Sequence, residues 1–291
     1  MKNITVIGAT GMIGIPVTKE LVKAGYNVTA LVRNPDKASG IFTEGVKFVK
    51  GDLDNINSIE EALKGANGVY INISTRPENK ENEFNPENQG LDNVITAIKK
   101  VGNIDQLILL SSFLARNYKG DWWVFNAKKS SIDRVKHSGI PYTILFPSNF
   151  MENFNSEGMK RGNKLTVIKG KVENKAFWIA GEDFGKTVAA AFSSKKAINQ
   201  SYAVQGPEAL TMKEAADEFV KSYSKEKLAV STMPIGLMKF LSVFIYPLKF
   251  VSKLMEVMLN NVEVFESEAT WNDLVKAEIT VKQYAEKMSN K

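Results

Sequence analysis

The 291-residue sequence contains no cysteine. Disulfides, thiolate nucleophiles and Cys-ligated metals are therefore excluded. It contains one histidine, His137, which disfavours a Ser-His-Asp hydrolase. A metal site would have to be built from carboxylates, and no cluster with ligand spacing is visible, so no metal is expected. His137 lies in "RVKHSG", at the polar end of a helical pattern, where a solvated or C-capping role is the plain reading. Long apolar runs are also missing. The most apolar stretch, Ile235 to Asn260, is interrupted by Lys239, Pro247, Lys249 and Lys253. It falls short of the roughly 18–20 uninterrupted apolar residues that a membrane span needs. It reads instead as amphipathic helices, whose functional readings are an apolar substrate wall, a dimer face or a membrane-surface contact. The opening "MKNITVIGATG" enters a strand-like run at once, without the features of a secretory signal, and a cytoplasmic location is expected. The net charge of +6 comes mainly from scattered lysines rather than from a basic block interleaved with aromatics. No nucleic-acid partner is expected, and a mild positive field would suit an anionic cofactor.

What is present is alternation. Short, nearly continuous apolar runs, "NITVIG", "YNVTALVR", "VKFVKGD", "GVYINIS", "QLILLSS" and "YTILFP", are separated by helical patterns at roughly 12–24, 57–64, 86–102 and 122–138. This predicts βαβ units and a doubly wound parallel sheet of the Rossmann type, buried on both faces. After Pro147 the texture changes. "NKLTVIKGKVENKAFWIAGEDFG" predicts a short hairpin region, followed by a helix near 184–194 and a seventh strand in "QSYAVQG". Thr211 with Glu214 predicts a capping box. The expected division is a dinucleotide-binding domain over 1–150 and a smaller C-terminal α+β substrate lobe over 151–291, packed on it and sharing elements with it.

"VIGATGMIG" places Gly8, Gly11 and Gly14 directly after the first strand and at the start of a helix. Gly8 permits the tight turn, Gly11 the approach of a pyrophosphate, and Gly14 close helix–strand packing. With Thr10, Met12 and Ile13 they form the expected phosphate loop. The second strand ends at Arg33, where an NAD-selective site usually carries an acid. A cation there, with Lys37 nearby, predicts NADP(H) in preference to NAD(H). Asp52, with Leu53 beside it, is placed to meet the adenine amino group, or else to cap a helix.

"ITVIGATGMIG", "ALVRNPDKA", "VKGDLDN", "SGIPYTILFPSNFMENF", "AGEDFGKTVAAAF" and "YAVQGPEALTMKEAA", in that order along nearly the whole chain, resemble the NmrA-like branch of the atypical short-chain dehydrogenase/reductases. The resemblance implies an NAD(P)-binding Rossmann domain, a small C-terminal lobe and a cleft between them. It also implies one of two functions, a reductase of quinones, flavonoid-like compounds or other carbonyl and ether substrates, or a redox sensor without turnover. Short-chain reductases use a Ser or Thr, a Tyr acid and a Lys. Aligned on Lys129, with Asp133 four residues on, this chain has Phe125 at the tyrosine position. Phe113 stands near the usual hydroxyl, beside Ser111 and Ser112. Lys129 is the expected ribose-binding and catalytic lysine, with adjacent Lys128 as the alternative. Ser74, Thr75, Ser111, Pro147 and Asn149 are expected around the nicotinamide, although Phe146 replaces the arginine usual before the Pro147 turn. Phe113, Trp122, Trp123, Phe125, Phe150 and Phe154 are candidates to line an apolar pocket or, as aromatics, to fill the core. Asp183 is expected to cap the following helix. The resulting expectation is an oxidoreductase passing hydride from NADPH to a small apolar acceptor such as a quinone or enone, without a tyrosine acid. The alternative is a non-catalytic NADP-sensing regulator that binds a protein partner. A homodimer stays open.

Overall fold

The computed structural model describes residues 2–156, 159–170 and 174–290, with Tyr246 described by its backbone alone. The strands run β1 (Asn3–Ile7), β2 (Asn27–Val32), β3 (Val46–Lys50), β4 (Gly68–Ile71), β5 (Gln106–Leu110), β6 (Tyr142–Pro147), β7 (Lys160–Arg161), β8 (Lys164–Lys169), β9 (Lys175–Phe177), β10 (Gln200–Val204), β11 (Ala209–Thr211) and β12 (Ala229–Pro234). The chain forms two compact units. The first is Met1–Pro147, Phe184–Val204 and Glu268–Lys276; the second is Ser148–Asp183, Gln205–Ser267 and Ala277–Lys291.

The first unit holds a seven-stranded sheet in the order β10-β6-β5-β4-β1-β2-β3, with every pairing parallel. This is the doubly wound, Rossmann-like arrangement. Chain order reverses between β1 and β4, which is where such sheets open a crevice beyond their carboxyl ends. Alternate residues of the strands face opposite ways. Ile7, Leu31, Val69, Ile71, Leu107, Leu109 and Ile144 share one apolar cluster with α3 (Ile56–Leu63), α4 (Leu91–Val101) and α6 (Trp123–Lys136). On the other face lie α1 (Gly14–Lys23) and the later turns of α7 (Gly181–Ser193). A side chain at Gly68 would collide with Phe192 of α7, and one at Gly185 with Glu20 and Val17 of α1. The expected helix over 86–102 is divided. Residues Pro86–Gly90 form a π-helical turn before α4, in which Gly90 N donates to Asn85 O five residues back (3.1 Å) and Asn85 Oδ1 caps the turn by accepting from the N–H groups of Glu87 and Asn88. His137 is the C-cap of α6, its Nδ1 2.7 Å from the Asp133 carbonyl.

In the second unit, β8 pairs antiparallel with β7 across Gly162 (φ 57°) and parallel with β12. β9 joins β11 instead. The hairpin expected over 163–185 is thus corrected: its two strands belong to different sheets, and residues 171–173 of that stretch lie outside the described residues. The unit's core is an aromatic stack, in which Phe154 lies 4.8 Å from Trp178 and 5.1 Å from Phe219, centroid to centroid. The capping box of Thr211 and Glu214 opens α8 (Met212–Ser222). Asp183 does not precede its helix as a cap. It sits in the first turn of α7, and its Oδ2 accepts from the N–H groups of Glu278 (2.8 Å) and Ile279 (2.7 Å).

Glu263 of the same unit accepts from Ser148 Oγ (2.8 Å) and Gln205 Nε2 (2.7 Å). Burial pushes its carboxyl above the ordinary 4.5, against those hydrogen bonds. A carboxyl raised by folding binds its proton more tightly in the native state, so its contribution to stability falls as pH rises from 4.5 through the native value. Glu263→Gln should therefore gain on the parent protein across that rise by about 1 kcal/mol or less. Urea midpoints measured for both proteins over the same pH series check the sign.

Candidate functional site

The site is built along the carboxyl ends of β1, β4 and β5. Gly8 follows β1 at φ 90°, and a Cβ there would meet the Asn72 carbonyl oxygen at 1.9 Å. A Cβ at Gly14 would stand 2.0 Å from the Gly8 oxygen and 2.7 Å from that of Ala9. Glycine at both positions is a condition of the loop's shape. Gly11 closes the turn by donating to Gly8 O (3.2 Å) and has no such clash. Thr10, Gly11 and Met12 are exposed, whereas Ile13 and Gly14 are buried. Among the described residues no side chain caps α1, and its first turn carries no acid. The helix start is therefore left as a positive, anion-seeking end.

Arg33 is exposed at the end of β2, next to Asn34, whose side chain caps Pro35–Ser39 by accepting from Lys37 N. Asp52 is exposed and its Oδ1 accepts from Leu53 N (2.8 Å). Capping of α3 falls to Asn55 instead. Leu53 is buried, and its carbonyl accepts from Asn93 Nδ2.

Beyond β4, Ser74 is exposed and Thr75 is buried. Thr75 donates from both N (3.0 Å) and Oγ1 (2.7 Å) to Glu87 Oε2, and Asn85 Nδ2 donates to Thr75 Oγ1 (3.0 Å). The other carboxylate oxygen of Glu87 receives Lys128 Nζ at 2.5 Å, with side-chain exposures of 13% for the lysine and 5% for the glutamate. A continuous line of contacts thus runs from Gly8 through Asn72 and the β4 loop to Glu87 and Lys128. Lys129 stands apart. It is exposed, and its Nζ lies 3.4 Å from the Tyr118 carbonyl. Between the two lysines that sequence left as alternatives, helix phase brings Lys128 into the network.

Phe125 is 2% exposed, stacked on Trp122 (5.3 Å) and tilted against Tyr118 (5.0 Å). Of the two readings left open for this ring, it takes the core one, and Trp122 is half-buried beside it. Phe113 is half-buried under the Arg116 guanidinium, 4.6 Å from the ring centroid. Ser111, at the end of β5, is 5% exposed and its Oγ has no hydrogen-bond partner among the described residues. Thr18 Oγ1 and the Tyr70 hydroxyl are likewise unpartnered among the described residues, within α1 and β4. Pro147 closes β6. In the second unit, the Asn149 carbonyl accepts from Ile179 N (2.9 Å), Phe150 bridges to Ile179, and Phe154 is core.

A sequence profile described as the NmrA-like family matches residues 1–288. The chain belongs to the NmrA-like family. Among relatives of known activity, it is 25% identical over 243 residues to the (4-alkanoyl-5-oxo-2,5-dihydrofuran-3-yl)methyl phosphate reductase of Streptomyces griseus, covering 81% of this chain and 80% of that one. It is 28% identical over 217 residues to the NAD(P)H azoreductase of Xenophilus azovorans, covering 73% and 71%. Among solved structures, the NADPH-dependent quinone oxidoreductase of Escherichia coli, crystallised with NADPH, superposes with a TM-score of 0.75 at 21% identity, covering 98% of this chain and 99% of that one. At that identity the likeness establishes the fold alone.

For a family whose relatives include NAD(P)H-dependent reductases, the question is whether these side chains fit a dinucleotide. They do. The turn leaves no room for a Cβ at Gly8 or Gly14, the start of α1 is uncapped, and the buried Ser111 Oγ after β5 lacks a partner among the described residues. Arg33 and Lys37 lie on the neighbouring strand end and its helix. Sequence reasoning missed Glu87 altogether. It sits in the polar run "NPENQG", and its partners Thr75 and Lys128 are 12 and 41 residues away. A signal for Lys128 was present in α6, where Val124, Ser131, Ile132 and Val135 are buried. Residue 128 falls within that stripe at helical spacing and residue 129 beside it.

Proposed function

We propose that the protein is an NADP(H)-dependent oxidoreductase that reduces a small apolar acceptor of the quinone or enone class without a tyrosine acid. The observation that carries this reading is the line of contacts from the Gly8–Gly14 turn to the Glu87–Lys128 pair. It joins an anion-binding helix end to a buried cation within one unit. The reductase relatives and the fold shared with an NADPH-binding quinone oxidoreductase support it. The residues that would hold the dinucleotide are Gly8, Gly11 and Gly14 with the α1 amides, Arg33 at a 2′-phosphate, Asp52 and Leu53 toward the adenine, and Ser74, Thr75 and Ser111 toward the nicotinamide. When bound, the reduced nicotinamide supplies hydride. An ammonium has three N–H donors, and Glu87 takes one from Lys128. The remaining donors are available for a ribose hydroxyl or for a proton passed to the acceptor oxygen, so the aromatic ring at Phe125 loses nothing the reaction needs.

The test is consumption of NADPH against a panel of quinones and enones, together with binding titrations of NADPH and NADH. Turnover with at least one class is the expected outcome. Tight NADPH binding with no turnover across the panel would favour a non-catalytic, NADP-sensing regulator instead. Arg33→Asp should weaken NADPH by about 30-fold, the scale of one charge-assisted contact, and NADH far less. Equal loss for both nucleotides would overturn the 2′-phosphate assignment.

A further inference from the structure

In the second unit, α9 (Ile235–Leu241) and α10 (Tyr246–Leu259) meet at a tip that is apolar and exposed. Leu237, Phe240 and Phe244 fall at helical spacing and are 48%, 63% and 72% exposed; Val243 and Ile245 between the helices are 77% and 47% exposed. The Phe240 and Phe244 rings meet edge-on at 5.5 Å. A solvated helix–helix turn is ordinarily polar, and an apolar stripe of this kind signals something that covers it.

Two observations identify the cover. The first is charge. Across α9 and α10 the sequence has Lys239, Lys249 and Lys253 against a single acid, Glu256. Glu256 pairs with Lys239 at 2.8 Å and Lys253 at 3.7 Å, so the segment keeps an excess of positive charge, with Lys249 outside that pairing. The second is the backbone. Ser242 N donates to Met238 O, Val243 N to Phe240 O, Phe244 N and Ile245 N to Leu241 O, and Leu248 N to Ile245 O. The tip can leave water without stranding these N–H groups. No helix among the described residues is long and apolar enough to cross a membrane. We propose that this tip docks on an anionic lipid bilayer, with Phe240, Val243 and Phe244 entering the interface and the lysines facing its phosphates. A second copy of the chain fits less well, because a two-fold contact through the stripe would bring the same lysines together.

The experiment is co-sedimentation of the full-length protein with vesicles of phosphatidylcholine alone or mixed with phosphatidylglycerol. Binding to the mixed vesicles that weakens with salt is expected. The double variant Phe240→Asp with Phe244→Asp should lose it by about tenfold or more at an unchanged melting temperature. Lys249→Glu should weaken binding to the mixed vesicles only. Three results would overturn the proposal: no sedimentation with either vesicle, equal and salt-insensitive binding to both, or a dimer in lipid-free buffer by light scattering that the double variant dissociates.

Discussion

Gly8→Ala should abolish measurable dinucleotide binding and cost about 3 kcal/mol of stability, because two penalties fall on one atom. At φ 90° an L side chain is strained wherever it points. Here it would also point at the Asn72 carbonyl, 1.9 Å from where the Cβ would be. Asn72 cannot simply retreat, since its own N–H donates to Ile7 O at 2.9 Å and so holds the β4 loop against β1. Relief therefore requires the two strand ends to separate at the point where the sheet's order reverses. Gly11→Ala is the control: its Cβ would meet nothing nearer than the Gly8 oxygen at 3.4 Å. It should keep nearly full stability while still weakening NADPH, because its exposed backbone is where a pyrophosphate must approach. Urea unfolding and NADPH fluorescence titration on both variants separate the two effects. A stable Gly8→Ala protein that still binds NADPH would remove the basis for placing the cofactor at this turn.

The contrast between the glycines and the lysines shows what was legible in the sequence. A tight turn between a strand and a helix is a local requirement, so Gly8, Gly11 and Gly14 announce it within a few residues. The βαβ strands were equally legible, because most are apolar almost throughout and edge strand β3, VKFVK, still alternates apolar and charged residues with the strand period. The pairing of β8 with β12 was not. It joins segments 65 residues apart, as Leu165 with Val230 illustrates, and neither segment carries a mark of its partner. The choice between the lysines was hidden for a different reason. Counting four residues from Phe125 selects Lys129 if Phe125 faces the site, yet Phe125 is packed between Trp122 and Tyr118. With the reference ring turned into the core, the count loses its anchor, and the buried stripe of α6 points to Lys128 instead.

Lys128→Met should then be the most damaging substitution outside the glycine turn, and in a way that separates structure from chemistry. Removing the ammonium leaves the Glu87 carboxylate, 5% exposed, with only the Thr75 donors, a loss expected to be about 3–5 kcal/mol. Glu87→Gln alone is also costly, since its single amide oxygen can accept from Thr75 but its NH2 group then faces the Lys128 ammonium, which loses its counter-charge. The double variant Lys128→Met with Glu87→Gln carries no buried charge and should recover most of the stability. If Lys128 supplies the proton or holds the ribose, turnover stays lost in that stable double variant. Lys129→Ala, on the exposed face, should leave both stability and turnover within about twofold. Melting curves and NADPH consumption on the four proteins decide the matter. A double variant that folds and turns over would reduce Lys128 to a strut for the β4 loop, and an inactive, fully stable Lys129→Ala would return the chemistry to the lysine that the sequence first indicated.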